Sequence, residues 1–152
     1  MEQIFNKLSE SLFGQLNEGE HLILSFDGEN SQFVRFNNAS IRQTGLVDDA
    51  DVGLKFIANG RTCSGGFTVS GNFDTDIARG SSEIDRMRIE SGQIPKDPFL
   101  VMPENAGSSH EIKKANGLAF EDAVDAILPA VSGADFVGIL ANGTMFRGSA
   151  NS

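Results

Sequence analysis

Few residues in this sequence have the chemistry for catalysis, and they are scattered. His110-Glu111 begins like a zinc helix, but an HExxH site needs its second imidazole one helical turn on, and position 114 is Lys114. A spacing one residue longer lands on Ala115, and the other histidine, His21, falls in a predicted strand far along the chain. The sequence therefore predicts no metal site within this chain, and His110 reads as a solvated loop residue. A single cysteine, Cys63, excludes an intramolecular disulfide and a cysteine-based metal cluster. As a nucleophile Cys63 would need an adjacent base, and no histidine is near in sequence, so a buried structural thiol is expected. Asp48, Asp49 and Asp51 could hold a cation, but they lack the glycine and terminal glutamate of a calcium loop and read better as a turn. Ser64-Gly65-Gly66 and Gly143-Thr144 lack the GxxxxGK[ST] frame of a phosphate loop. Gly65 and Gly66 suggest instead a bulge or a close backbone approach.

The stretch Phe33–Gly45, FVRFNNASIRQTG, is different, because it sets long planar donors and acceptors beside apolar residues. Val34 and Phe36 alternate with Phe33 and Arg35, the period of a strand. Asn37-Asn38 favours a turn, after which Ile41 and Gln43 share one face of a second strand and Arg42 and Thr44 the other. Two readings follow. Arg35, Asn37, Arg42 and Gln43 serve a substrate wall or an interface, since such groups suit the amides of a bound chain. Alternatively, the asparagines only make the turn and the arginines pair with Asp48 or Asp49.

Elements must position these residues. An amphipathic helix is predicted over 1–18, with Ile4, Leu8, Leu12 and Leu16 recurring every four residues and Gly19 at its cap. Strands are predicted at about 21–27, 31–37, 39–47, 51–58 and 61–69, broken by turns at Asp27-Gly28, Asn37-Asn38 and Asn59-Gly60. A second helix opens near Asn72 or Asp74, with Gly80-Ser81-Ser82 weakening its middle. Residues 91–116 read as a long connection. A third helix is predicted over 118–130, its stripe including Phe120 and its last turn Pro129, and Asn142-Gly143 reads as the turn of a closing hairpin. The sum is an α+β fold: a mainly antiparallel sheet of about five strands with helices on one face, plus a C-terminal β-hairpin. At 152 residues, 39% hydrophobic and 22% charged, one domain with a real core is expected over 1–152.

Charge limits the partners. With 21 acidic residues against 12 basic ones, a net −9, and no Lys/Arg run, direct nucleic-acid contact is disfavoured. No apolar run approaches the ~20 residues of a membrane helix, and no signal-peptide pattern is present, so the cytoplasm is the expected location.

RFNNASIRQTG, an NG hairpin and later GADFVGILANGTMFRGSANS occur in an order that resembles the amino-terminal domain of the TldD/PmbA family. Its members are also called modulators of DNA gyrase and include metalloproteases. The likeness runs from about Leu22 to Ser152, with DPFL at Asp97–Leu100 similar to one subgroup. It implies a non-catalytic amino-terminal domain that shapes a peptide-substrate cavity or a dimer interface, as one piece of a longer protein. It further implies that zinc, in members that have it, sits in an HExxxH helix outside this domain. Substrates would be peptides or unfolded polypeptide, and the full-length assembly a homo- or heterodimer. The competing expectation is a stand-alone peptide- or protein-binding module without enzymatic activity. Both expect the same of the isolated chain: no tight zinc binding and no peptide hydrolysis. Chelator-sensitive cleavage of a peptide library by a contaminant-free preparation would refute that.

Overall fold

The computed structural model describes residues 1–105, 107–119 and 121–152. Along them run α1 (Glu2–Phe13), β1 (Glu20–Asn37), β2 (Ser40–Ala58), β3 (Arg61–Thr68), α2 (Phe73–Ser91), α3 (Ala123–Val131) and β4 (Gly138–Asn151). The strands form one four-stranded sheet in the order β3-β2-β1-β4. The α+β class and the antiparallel sheet are as expected. Contacts divide the chain into two compact units: Met1–Gly28, Asp49–Ala106 and Phe146–Ser152 form the first, Glu29–Asp48 and Gly107–Met145 the second.

The first unit holds the main core. Leu22, Leu24 and Phe26 of β1 and Val52, Leu54 and Phe56 of β2 are buried, on alternate residues of each strand, as one sheet face requires. Leu8 and Leu12 of α1 and Ile84 and Met87 of α2 close over them. The helices approach closely because position 80 is glycine: a Cβ there would sit 2.7 Å from a Leu12 methyl. Gly80 thus seats α1 rather than weakening α2. Asn72 is the N-cap of α2, its side chain accepting from the Thr75 N–H at 3.0 Å. Phe5, Phe26 and Phe146 pack with ring centroids 5.6–6.2 Å apart, Phe26 edge-to-face with the other two and Phe5 tilted on Phe146.

Several boundaries differ from expectation. The predicted strands 21–27 and 31–37 are one strand, as are 39–47 and 51–58, so the sheet has fewer and longer strands than the five expected. Asp27-Gly28 is no turn. Asp27 instead takes an ion pair from Arg147 at 3.0 Å, and Gly28 leaves room for Met1, whose sulfur would lie 2.8 Å from a Cβ. Asp48, Asp49 and Asp51 likewise lie within β2 rather than in a turn, and Thr68 Oγ1 donates to Asp51 at 2.7 Å. The closing hairpin is a single strand: β4 runs straight through Asn142-Gly143, because Gly143 presses on the backbone of Asn30 and Ser31 in β1. Helix α1 ends at Phe13 with Gly14 at its cap, while Gly19 (φ +80°) serves the following turn. Helix α3 is shorter than predicted and keeps Pro129 inside it; Phe120 lies outside the described residues. The two β-hairpin turns both have positive φ at their central residues, Asn38-Ala39 (50° and 51°) and Asn59-Gly60 (52° and 73°), the first one residue later than predicted.

One ion pair ties the start of β1 to the end of α2. Arg88 donates from Nε to Glu20 Oε1 and from Nη2 to Glu20 Oε2, both at 2.9 Å, and from Nη1 to Asp85 at 2.7 Å. The Arg88 hydrogen bonds hold the Glu20 carboxyl at about 2 despite the opposing pull of burial. A carboxyl depressed this way adds stability above its unfolded pKa, and that stability is lost as pH falls through its folded value. Glu20→Gln should therefore lower unfolding free energy by about 2 kcal/mol near neutral pH. In urea titrations the gap from the native chain should hold down to about pH 5 and close towards pH 2. A gap that stays constant over that range would assign the loss to packing.

Candidate functional site

The polar stretch singled out in the sequence lies in the second unit, on the hairpin end of β1 and β2. Arg35 of β1 and Gln43 of β2 meet, Arg35 Nη1 donating to Gln43 Oε1 at 3.2 Å. The Arg35 guanidinium stands 5.3 Å from the ring centroid of Phe33, within cation–π range. Phe33 in turn lies over Gly45, where a Cβ would fall 2.5 Å from the ring edge. Phe33 and Gly45 are thus the residues that sequence reasoning missed. The signal was present: Phe33 and Gly45 each sit two positions from Arg35 and Gln43, on the same strand faces.

Both polar side chains are exposed, and only one of the five guanidinium N–H groups of Arg35 is engaged by Gln43. The Gln43 carboxamide keeps its N–H groups for another acceptor. Asn37 is exposed nearer the turn. Arg42 is exposed too, and among the described residues no hydrogen bond joins it to Arg35 or Gln43. Of the residues picked from sequence, then, the fold couples Arg35 with Gln43 and sets Arg42 apart. Among the described residues neither arginine forms an ion pair with Asp48 or Asp49.

The other chemical candidates are dispersed. Cys63 is buried on β3, and burial, then the Glu90 carboxylate, push its thiol upward, away from the nucleophilic thiolate. Gly65 and Gly66 are close approaches rather than an anion cradle. A Cβ on Gly66 would meet the Val52 carbonyl at 2.5 Å, and one on Gly65 would collide with Glu83 and Arg86. His110 is exposed, and among the described residues no three His, Cys, Asp or Glu side chains gather as metal ligands. An open groove of about 470 Å³ runs between β3 and α2, lined by Phe67, Thr75, Ala78, Arg79, Ser82 and Glu83. Its arginine is committed to the Thr68 carbonyl at 2.9 Å, and it holds no nucleophile–base pair.

No protein-family model matches this chain, and no curated protein does. Solved structures do. A protein of Thermotoga maritima, described as a candidate modulator of a DNA gyrase, matches with a TM-score of 0.58 at 16% identity. TldE from Thermococcus kodakarensis matches with a TM-score of 0.61 at 12% identity. Each match covers 97% of this chain but 37% of the longer protein. No helix of the described residues is long and apolar enough to cross a membrane. At these identities the likeness is one of fold: this chain has an architecture that occurs within the gyrase-modulator protein and TldE as part of a larger whole.

Proposed function

We propose that this chain is a non-catalytic domain of a TldD/PmbA-like peptidase, and that it shapes the wall of a peptide-substrate cavity or a subunit interface. The observation that carries the reading is the Arg35–Gln43 pair. It is an exposed array of planar donors and acceptors, held by Phe33 on paired strands, within a fold found in TldE. Peptide amides are matched by carboxamide and guanidinium groups without regard to side-chain sequence, which suits unfolded polypeptide as substrate. On this reading zinc and the hydrolytic step belong to the remainder of a longer protein, acting in a dimer in the cytoplasm. A net −9 argues that any link to gyrase runs through protein rather than DNA.

The second reading, a stand-alone binding module, uses the same face, and one comparison separates the two. Arg35→Ala and Gln43→Ala should leave the melting temperature within about 2 °C, because exposed substitutions of this kind cost little. In the longer protein they should lower peptide cleavage or subunit association about tenfold. A stand-alone module would instead bind unstructured peptides as the isolated chain and lose that binding in the variants. Variants that lose stability yet retain cleavage, assembly and peptide binding would make these residues scaffold and refute both.

A further inference from the structure

Three Asn-Gly pairs occur in this chain, Asn59-Gly60, Asn116-Gly117 and Asn142-Gly143. An asparagine before glycine can consume its own carboxamide. The next backbone nitrogen attacks the side-chain carbonyl carbon, and glycine, with no Cβ, leaves that nitrogen open and the backbone free to turn. Ring closure is intramolecular, so its rate depends on whether the fold lets the nitrogen reach the carbon. The three pairs differ in this respect.

Asn59-Gly60 is locked. Ala58 and Arg61 close the turn as a strand pair, Asn59 is held at φ 52°, and the Gly60 carbonyl accepts from the Asp97 N–H at 2.8 Å. Asn142-Gly143 lies inside β4, with Gly143 pressed on the backbone of Asn30 and Ser31. The Asn142 carboxamide donates from Nδ2 to the Leu118 carbonyl, so the nitrogen that would leave is held. Asn116 and Gly117 are both exposed and lie in no helix, strand or turn. Among the described residues, neither the Asn116 carboxamide nor the Gly117 N–H forms a hydrogen bond. The pair follows closely on Lys113-Lys114, the one place where two basic residues are consecutive in this sequence.

We propose that Asn116 is a site of spontaneous modification, converted to aspartate and isoaspartate through a cyclic imide with Gly117. The Gly117 nitrogen gives its proton to hydroxide and forms a bond to Asn116 Cγ. The Cγ–Nδ2 bond breaks, and that nitrogen leaves as ammonia after taking a proton from water. Water then opens the ring. Breaking the Cγ–N bond gives aspartate, and breaking the bond to the main-chain carbonyl gives isoaspartate, in which the chain runs through Cγ. Either product sets a new carboxylate two residues from Lys114 and makes the chain one unit more negative. The proposal depends on neither reading of the Arg35–Gln43 pair.

The 152-residue chain, held folded in mildly alkaline buffer, tests it. Cleavage at glutamate isolates Asn116 in residues 112–121, apart from Asn59 and Asn142, and isoaspartyl methyltransferase labelling separates isoaspartate from encoded acids. Asn116 should convert about tenfold faster than Asn59 or Asn142, a barrier difference of about 1.4 kcal/mol. In urea, where no fold selects among them, the three should agree within about threefold. Gly117→Ala should slow conversion about tenfold without changing the circular dichroism, and Asn116→Gln, whose closure needs a larger ring, should abolish the labelling of this segment. Conversion of Asn59 or Asn142 as fast as Asn116 in the folded chain, or an Asn116 that reacts only in urea, would overturn the inference.

Discussion

One buried face of one strand pair organises the first unit. A two-stranded ribbon is at best marginal in water, and so is a helix as short as α1. Each becomes stable here by covering the other. Leu22, Leu24 and Phe26 lie beside Val52, Leu54 and Phe56, all with at most 3% of their surface exposed, under Leu8, Leu12, Ile84 and Met87. Burying a side chain such as Phe26 contributes about 2–3 kcal/mol, so this face outweighs any single polar contact in the unit. The polar contacts fix direction instead. Arg88 joins Glu20 to the end of α2, and buried Asp76 accepts from both the backbone N–H and the hydroxyl of Ser70 at 2.8 Å, which sets the path into α2.

What the sequence made legible was periodicity, because burial enforces it. The stripe of α1, the alternating β1 and β2 residues and the Asn59-Gly60 turn all follow from one apolar face and one backbone requirement. Glycine was misread at Gly28, Gly80 and Gly143 for a single reason. A glycine that permits a turn and a glycine that permits a neighbour to approach look alike in one sequence. At Gly28 the neighbour is Met1, at Gly80 Leu12 and at Gly143 the backbone of β1. None was visible before strand and helix partners were known. The Arg35–Gln43 pair was legible by residue type, but its support from Phe33 and Gly45 depends on register, and register depends on a turn that falls at Asn38-Ala39.

The titratable groups that the fold perturbs are employed in building it. Glu20 and Arg88 hold α2, Arg86 bridges Glu83 and Glu90 while donating to the Ser64 carbonyl, and Cys63 is shut in with a thiol that resists ionisation. Arg35 differs from these arginines. It is exposed and lies against one aromatic ring and one carboxamide, which hold its guanidinium. A guanidinium held this way loses less conformational entropy on meeting a carbonyl or carboxylate than a free side chain would, and that loss is a main cost of recognition. Phe33, seated over Gly45, therefore restricts where the Arg35 fork can point. On the reading proposed above, a restricted cation beside a neutral amide suits the polar backbone of a polypeptide better than a polyanion, on a chain of net −9.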